Sequence, residues 1–171
     1  DDLSLREGEG KAGATRVWVQ PPGTPSVGMA LLRAYEKTGQ PYVLEAAKEA
    51  ANALVRGQLH SGGWAYSIEF NPEKRGSYAY RADSPESDGN NVTTLDDNTT
   101  QAALRFLMQV DKTLDFADEA IHEAVMYALE KLLAAQYPNG AWPQRFTGPT
   151  DPEKYPVKPA SYPEEWSWEY P

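Results

Sequence analysis

Two helical hairpins, each followed by a Gly-Trp loop, repeat along this chain and constrain its fold more than any other feature. The first loop reads QLHSGGW at residues 58–64, and the second reads QYPNGAW at residues 136–142. Each loop follows two segments in which apolar residues recur at the spacing of an amphipathic helix. Paired helices that repeat in this way stack against one another. The sequence therefore predicts an all-α fold, an α/α toroid or part of one, with long functional loops.

The helical periodicity divides the chain into three parts. The hairpins are predicted over about residues 26–60 and 98–137, inside a repeat domain that covers 26–147. Residues 1–25 lack sustained periodicity and are predicted to form a loop-like N-terminal arm. Residues 148–171 are rich in proline, which favours an extended tail or a connector to a missing second part.

Short extended pieces are indicated outside the helices. Residues 17–19 (VWV) form one such piece in the N-terminal arm, and the alternation at residues 78–81 (YAYR) predicts a short strand. That strand lies in a segment, up to about residue 95, that is rich in Asn, Pro, Gly and Ser. A loop of this length in a domain of this size indicates function or disorder.

The charge of the chain restricts its partners. With 16 basic and 25 acidic residues, the formal net charge is −9. Nucleic acids and anionic membranes require basic patches, so neither is an expected partner. An anionic substrate would need a divalent cation or a local concentration of basic residues. The chain has no cysteine, which excludes disulfides and thiolate metal sites.

A dense cluster of oxygen ligands precedes the third long helix. Residues 94–100 read TLDDNTT and run directly into an apolar-periodic segment. One such side chain is enough to cap a helix, whereas Asp96, Asp97 and Asn98 together offer the oxygen atoms that a hard cation or a sugar requires. The alternative, a helix start with surplus capping residues, stays open at this point.

The Gly-Trp loops and nearby basic residues provide candidates for substrate binding. Trp64 and Trp142 each follow a flexible turn, with Tyr66 close to the first, and sugar rings stack on aromatic faces. A tryptophan in this position also fills the gap between hairpins, so a structural role stays open. Arg81 and Arg145 carry planar guanidinium groups that match a carboxylate at two points.

Two motifs carry a resemblance to a known family. The first, TLDDNTTQAALRFL, covers residues 94–107, and the second, AQYPNGAWPQ, covers residues 135–144. Together they resemble the pectate lyases of polysaccharide lyase family ten, with the second motif the more specific. The resemblance spans roughly residues 24–146 and indicates the N-terminal part of the catalytic domain.

This resemblance implies a partial α/α toroid with a groove for polygalacturonate, an acidic polysaccharide, and dependence on Ca²⁺. Asp97 and Asn98 match the family's Asp-Asn pair, in which the aspartate holds the catalytic calcium and the asparagine helps to place the substrate. Asp96 is added to the metal site because it is acidic and adjacent. The family's catalytic base is an arginine expected beyond the end of this chain, and Arg81 and Arg145 are the weak candidates within it.

Three functions are therefore considered. The first is calcium-dependent β-elimination of polygalacturonate, in which a cation on the C6 carboxylate acidifies the neighbouring proton. The second is a non-catalytic carbohydrate-binding helical module. The third is a helical scaffold for protein partners. A secreted or periplasmic location is implied by the resemblance alone.

Overall fold

The computed structural model describes residues 13–83 and 87–159. In chain order, its elements are β1 (Arg16–Trp18), α1 (Thr24–Thr38), α2 (Pro41–Arg56), β2 (Ser67–Glu69), α3 (Pro72–Arg75), β3 (Thr93–Thr94), a 3₁₀ turn (Asp96–Asn98), α4 (Thr99–Thr113), α5 (Glu119–Ala134) and β4 (Arg145–Phe146). Within these ranges, no helix has both the length and the apolar character needed to cross a membrane.

Each hairpin is delimited by residues suited to helix ends. The first hairpin turns at Gly39, whose φ of 65° is left-handed and whose N–H donates to the carbonyl of Tyr35. Pro41 then starts α2, where its missing N–H costs nothing. In the second hairpin, the side chain of Asp118 caps α5 by accepting a hydrogen bond from the N–H of Ile121. Local sequence therefore fixes both hairpins.

The four long helices share one apolar core. Helix α1 packs closely on α2 and α4, and α4 in turn packs on α5. The close approach of α1 to α4 depends on Gly28, since a Cβ atom there would lie 2.1 Å from the ring of Phe106. The prediction of a mainly helical fold is confirmed, and closure of the helices into a toroid stays a prediction.

Two small antiparallel sheets qualify the all-α prediction. Strand β1 pairs with β2, with Val17 opposite Ile68, and β3 pairs with β4. The strand expected at residues 78–81 is absent as such, because Tyr78 and Tyr80 make only isolated bridges. Part of the predicted loop-like arm is therefore a strand, paired to a segment about 50 residues further along the chain.

The last described residues are anchored to the second hairpin. The Thr150 N–H donates to the carbonyl of Ala134, and its hydroxyl donates to the carbonyl of Ala135 at 2.7 Å. The rings of Tyr137 and Tyr155 lie 5.1 Å apart. The predicted tail thus folds back on the end of the second hairpin as far as Tyr155, and residues 160–171 lie outside the described residues.

Trp64 is a core residue, and its predicted role as a surface for sugar stacking is wrong. Its side chain is fully buried, and the indole N–H donates to the carbonyl of Leu54 at 2.8 Å. The Trp64 backbone N–H donates to the hydroxyl of Thr100, which ties the first Gly-Trp loop to the start of α4. With no exposed face, this ring cannot meet a substrate.

Candidate functional site

The pairing of β3 with β4 brings the two sequence motifs together. Thr94 lies opposite Arg145 in the ribbon, and the N–H of Leu95 donates to the carbonyl of Gln144 at 2.8 Å. The oxygen-rich segment before α4 is therefore joined by hydrogen bonds to the end of the second Gly-Trp loop. Residues about 50 positions apart in the sequence form one site.

The Asp96–Asn98 turn holds its side chains away from the helix that follows. Asp97 (φ 50°, ψ 30°) and Asn98 (φ 61°, ψ 24°) are both left-handed, a conformation that Asp and Asn tolerate better than most residues. Neither Leu95 nor Asn98, the cap residues of the turn and of α4, makes a side-chain capping bond. The alternative of a richly capped helix start is therefore wrong, and the side chains of Asp97 and Asn98 are exposed.

Hydrogen bonds orient the two residues that match the family pair. The amide of Gln20 donates to Asp97 Oδ2 at 3.0 Å, which leaves the second carboxylate oxygen open. Asn98 Oδ1 accepts a hydrogen bond from Arg105 Nη2 at 2.6 Å. These contacts hold both side chains in fixed directions at the surface.

Asp96 is held by a second group of donors. The hydroxyl of Tyr66 donates to Asp96 Oδ2 at 2.9 Å, and the Asp97 N–H donates to Oδ1 at 3.1 Å. Hydrogen bonds from the side chains of Gln144 and Tyr66 are the main reasons that the pKa of Asp96 lies below its ordinary value. Asp96 is therefore ionised at neutral pH and fixed in position.

Tyr66 is placed to support Asp96 more than to meet a substrate directly. Its ring stacks on Trp18, with centroids 6.2 Å apart, and its hydroxyl accepts a hydrogen bond from Arg145 at 3.2 Å. That hydrogen bond raises the pKa of Arg145 above its ordinary value. The Arg145–Tyr66–Asp96 chain of hydrogen bonds thus favours a guanidinium that stays charged.

A cavity of about 490 Å³ adjoins the two carboxylates. Trp142 lines it and is 42% exposed, with its indole N–H donating to the carbonyl of Leu132 at 2.8 Å. This hydrogen bond fixes the ring while part of it remains in contact with solvent. Asp96, Asp97 and Trp142 therefore border one cavity, where a carboxylate pair and an aromatic ring lie side by side.

Arg81 lies in a different environment, and its candidacy as a base is not supported. Its guanidinium donates to Gln58 Oε1 at 2.6 Å and pairs with Glu123. It also stacks over the ring of Tyr127 at 3.5 Å. These contacts make Arg81 a structural link between the first Gly-Trp loop and α5.

The carboxylates of Asp96 and Asp97 fit a cation whose other ligands come from water and a bound substrate. The described part of the chain contains no group of three or more His, Cys, Asp or Glu side chains arranged around one point. Asp96 and Asp97 supply two carboxylates, whereas Ca²⁺ takes six to eight oxygen ligands. The residues therefore fit Ca²⁺ provided that water and a bound carboxylate complete its coordination.

Two supporting residues were not predicted from the sequence. Gln20 and Trp18 both come from the N-terminal arm, where no periodicity marks them. They reach the site because β1 pairs with β2, which places Trp18 against Tyr66. The only signal available was the short extended VWV segment, which did not reveal its partner.

Comparisons with known proteins agree with this arrangement of helices. The fold is similar to that of two solved structures, each with a TM-score of 0.54 at 22% sequence identity. They are a family 10 polysaccharide lyase from Cellvibrio cellulosa and a mutant of such a lyase in complex with trigalaturonic acid. The matches cover 81% of this chain but only 42% of the first of those chains and 43% of the second.

The family itself is shown by sequence. The pectic acid lyase family model matches residues 58–158, which is more than half of the chain. This protein therefore belongs to the pectic acid lyase family. A comparison with curated proteins gave no match.

Tyr66→Phe is expected to raise the pKa of Asp96 towards its ordinary value, because one of its two main hydrogen-bond donors is lost. A carboxyl whose pKa is lowered on folding stabilises the fold above its unfolded pKa, and this contribution is lost as pH falls through the folded pKa. The variant should therefore show a weaker loss of stability on acidification. NMR titration of the Asp96 carboxyl would measure the change, with Tyr42→Phe, at an exposed tyrosine, as the control.

Proposed function

We propose that this chain contributes the cation-binding and part of the sugar-binding surface of a calcium-dependent pectate lyase, which cleaves polygalacturonate by β-elimination. One observation carries the proposal: the carboxylates of Asp96 and Asp97 border one aromatic-lined cavity, neither caps α4, and Asp97 keeps one oxygen without a hydrogen bond. Membership of the pectic acid lyase family supports the reaction class.

Each residue of the site has a distinct part in this proposal. Asp96 and Asp97 would hold Ca²⁺, which would draw electron density from the substrate's C6 carboxylate and so acidify the neighbouring proton. Trp142 offers a partly exposed ring on which the apolar face of a sugar stacks. Asn98 donates through its amide to a sugar hydroxyl, since its Oδ1 atom is already bonded to Arg105.

Arg145 binds substrate in this proposal and does not abstract the proton. Its guanidinium is exposed, and the hydrogen bond with Tyr66 raises its pKa, which favours the charged form. A charged guanidinium attracts a uronate carboxylate, but it has no lone pair with which to take a proton. The base is therefore a group other than Arg145, and Arg81 is engaged in structural contacts.

The second candidate is a carbohydrate-binding module without turnover. It is favoured by one observation: of the two arginines proposed within the chain, Arg81 is engaged in structural contacts and Arg145 is held in its charged form. In that case, the same surface would bind uronate oligomers and release them unchanged. In both cases the proposed partner is an acidic polysaccharide. Because such a polymer is large, we expect a secreted or periplasmic location.

An assay of product formation separates the two candidates. Polygalacturonate with Ca²⁺ is incubated with the chain, and the ultraviolet absorbance of unsaturated product ends is followed before and after addition of EDTA. Absorbance that rises and stops with EDTA supports the lyase. Saturable calcium-dependent binding with no absorbance supports the module, whereas neither binding nor product would contradict both.

A further inference from the structure

A second cavity, of about 310 Å³, lies in the groove between α1 and α4. It begins at Asn98, the last residue of the 3₁₀ turn, so it adjoins the proposed cation site without including either carboxylate. We refer to this cavity as the α1–α4 groove. A polymer that passes Asp97 and Asn98 would meet this groove next.

The α1–α4 groove combines an apolar floor with two guanidinium groups. Met29 on α1 and Ala102 on α4 contribute apolar surface. Arg33 follows Met29 by four residues, and Arg105 follows Ala102 by three, so each arginine shares a helix face with the floor. Each helix thus supplies one cation to the same cavity.

The charges of the groove are not neutralised by any carboxylate in the part of the chain that the structure describes. Among the described residues, no carboxylate lines the cavity, although the whole chain has a net charge of −9. Arg33 has no hydrogen-bond or ion-pair partner among residues 13–83 and 87–159. Arg105 bonds to the neutral amide of Asn98 through one nitrogen, which leaves further donors of its guanidinium available. Two guanidinium groups that line one cavity, neither with an ion-pair partner in residues 13–83 and 87–159, favour an anionic ligand.

We propose that the α1–α4 groove binds the carboxylate of a uronate unit, adjacent along the polymer to the unit held at Asp97. The planar fork of Arg33 and the remaining donors of Arg105 match the two oxygens of a carboxylate. The apolar floor suits the C–H face of a sugar ring. This inference rests on the proposed function, because it takes the polymer from the neighbouring site.

The test compares Arg33→Ala with Lys37→Ala in the full chain. Lys37 carries the same charge one helical turn further along α1, is exposed and does not line the groove. The affinity for trigalacturonate is measured by calorimetry in saturating Ca²⁺, and calcium affinity is measured separately without sugar. A neutral galactose trisaccharide serves as the control ligand, because it has no carboxylate.

Arg33→Ala should weaken trigalacturonate binding about tenfold, the loss typical of one charge-assisted interaction. Lys37→Ala should leave that affinity unchanged, and calcium affinity without sugar should be the same in both variants. Arg33→Lys, which keeps the charge but loses the fork, should recover part of the binding. The affinity for the neutral trisaccharide should be the same in all of these variants.

An equal loss of trigalacturonate affinity in Arg33→Ala and Lys37→Ala would overturn the inference. It would show that the oligomer is attracted by positive charge in general and not bound at a specific site. An unchanged affinity in Arg33→Ala would also overturn it, while leaving the proposed function intact if calcium and sugar still bind together. Failure of the unsubstituted chain to bind trigalacturonate would remove the proposed function and this inference together.

Discussion

Asp97→Asn is expected to lower the calcium affinity of the chain by about 100-fold. Changes to residues that merely support a metal ligand cost about 10- to 100-fold, and Asp97 is proposed to be a ligand itself. Asparagine keeps the size of the side chain and its tolerance of a left-handed backbone, so the φ of 50° is retained without added strain. Calorimetry with Ca²⁺ would measure the change in calcium affinity. Because the side chain keeps its size and the backbone its conformation, that change would report the loss of the negative charge alone.

Asp115→Asn is the matched control for this substitution. Asp115 is also an exposed aspartate with a positive φ, of 53°, but it lies in the turn between α4 and α5. Its replacement should leave calcium affinity unchanged. Equal losses in the two variants would mean that Asp97 acts only through net charge, and its assignment as a ligand would be withdrawn.

Trp64→Ala is expected to reduce the free energy of unfolding by about 3–5 kcal/mol, the range for truncation of a large buried aromatic side chain. The ring is fully buried, and its removal leaves a cavity and removes the hydrogen bond from the indole N–H to the carbonyl of Leu54. Single domains are stable by only about 5–15 kcal/mol, so the variant should lose a large share of its stability. Urea denaturation in calcium-free buffer would measure this loss.

Trp142→Ala provides the comparison for Trp64→Ala, since the two residues occupy equivalent places in the repeat. Trp142 is 42% exposed, and its truncation should cost about 1–2 kcal/mol. It should instead weaken binding of uronate oligomers. Similar losses of stability in both variants would show that the two Gly-Trp loops have the same structural role and that the distinction drawn between them is mistaken.

The helices were predictable from the sequence because the signals that form them are local. Apolar periodicity, Gly39 at the end of α1 and Pro41 at the start of α2 all act within a few residues. The oxygen-rich cluster was also visible, since Asp96 and Asp97 adjoin a helix start. What remained ambiguous was whether these side chains cap the helix, because that depends on backbone angles.

The strands and the fates of the two tryptophans depend on distant contacts. Strands of two or three residues carry almost no periodicity, so the pairing of β3 with β4 could not be read from either segment. Trp64 and Trp142 share one motif, yet only the first is enclosed by the start of α4 at Thr100. The same reason explains why Gln20, which contacts Asp97, was not foreseen.

The central claim is that the Asp96–Asn98 turn binds Ca²⁺ together with a uronate carboxylate. Calorimetric titration of the chain with Ca²⁺, in the absence and presence of trigalacturonate, tests it most directly, because coupled sites must raise each other's affinity by the same factor. We expect calcium to bind about tenfold more tightly when the oligomer is present, since its carboxylate completes the coordination. Calcium affinity that is undetectable, or unchanged by the oligomer, would contradict this account.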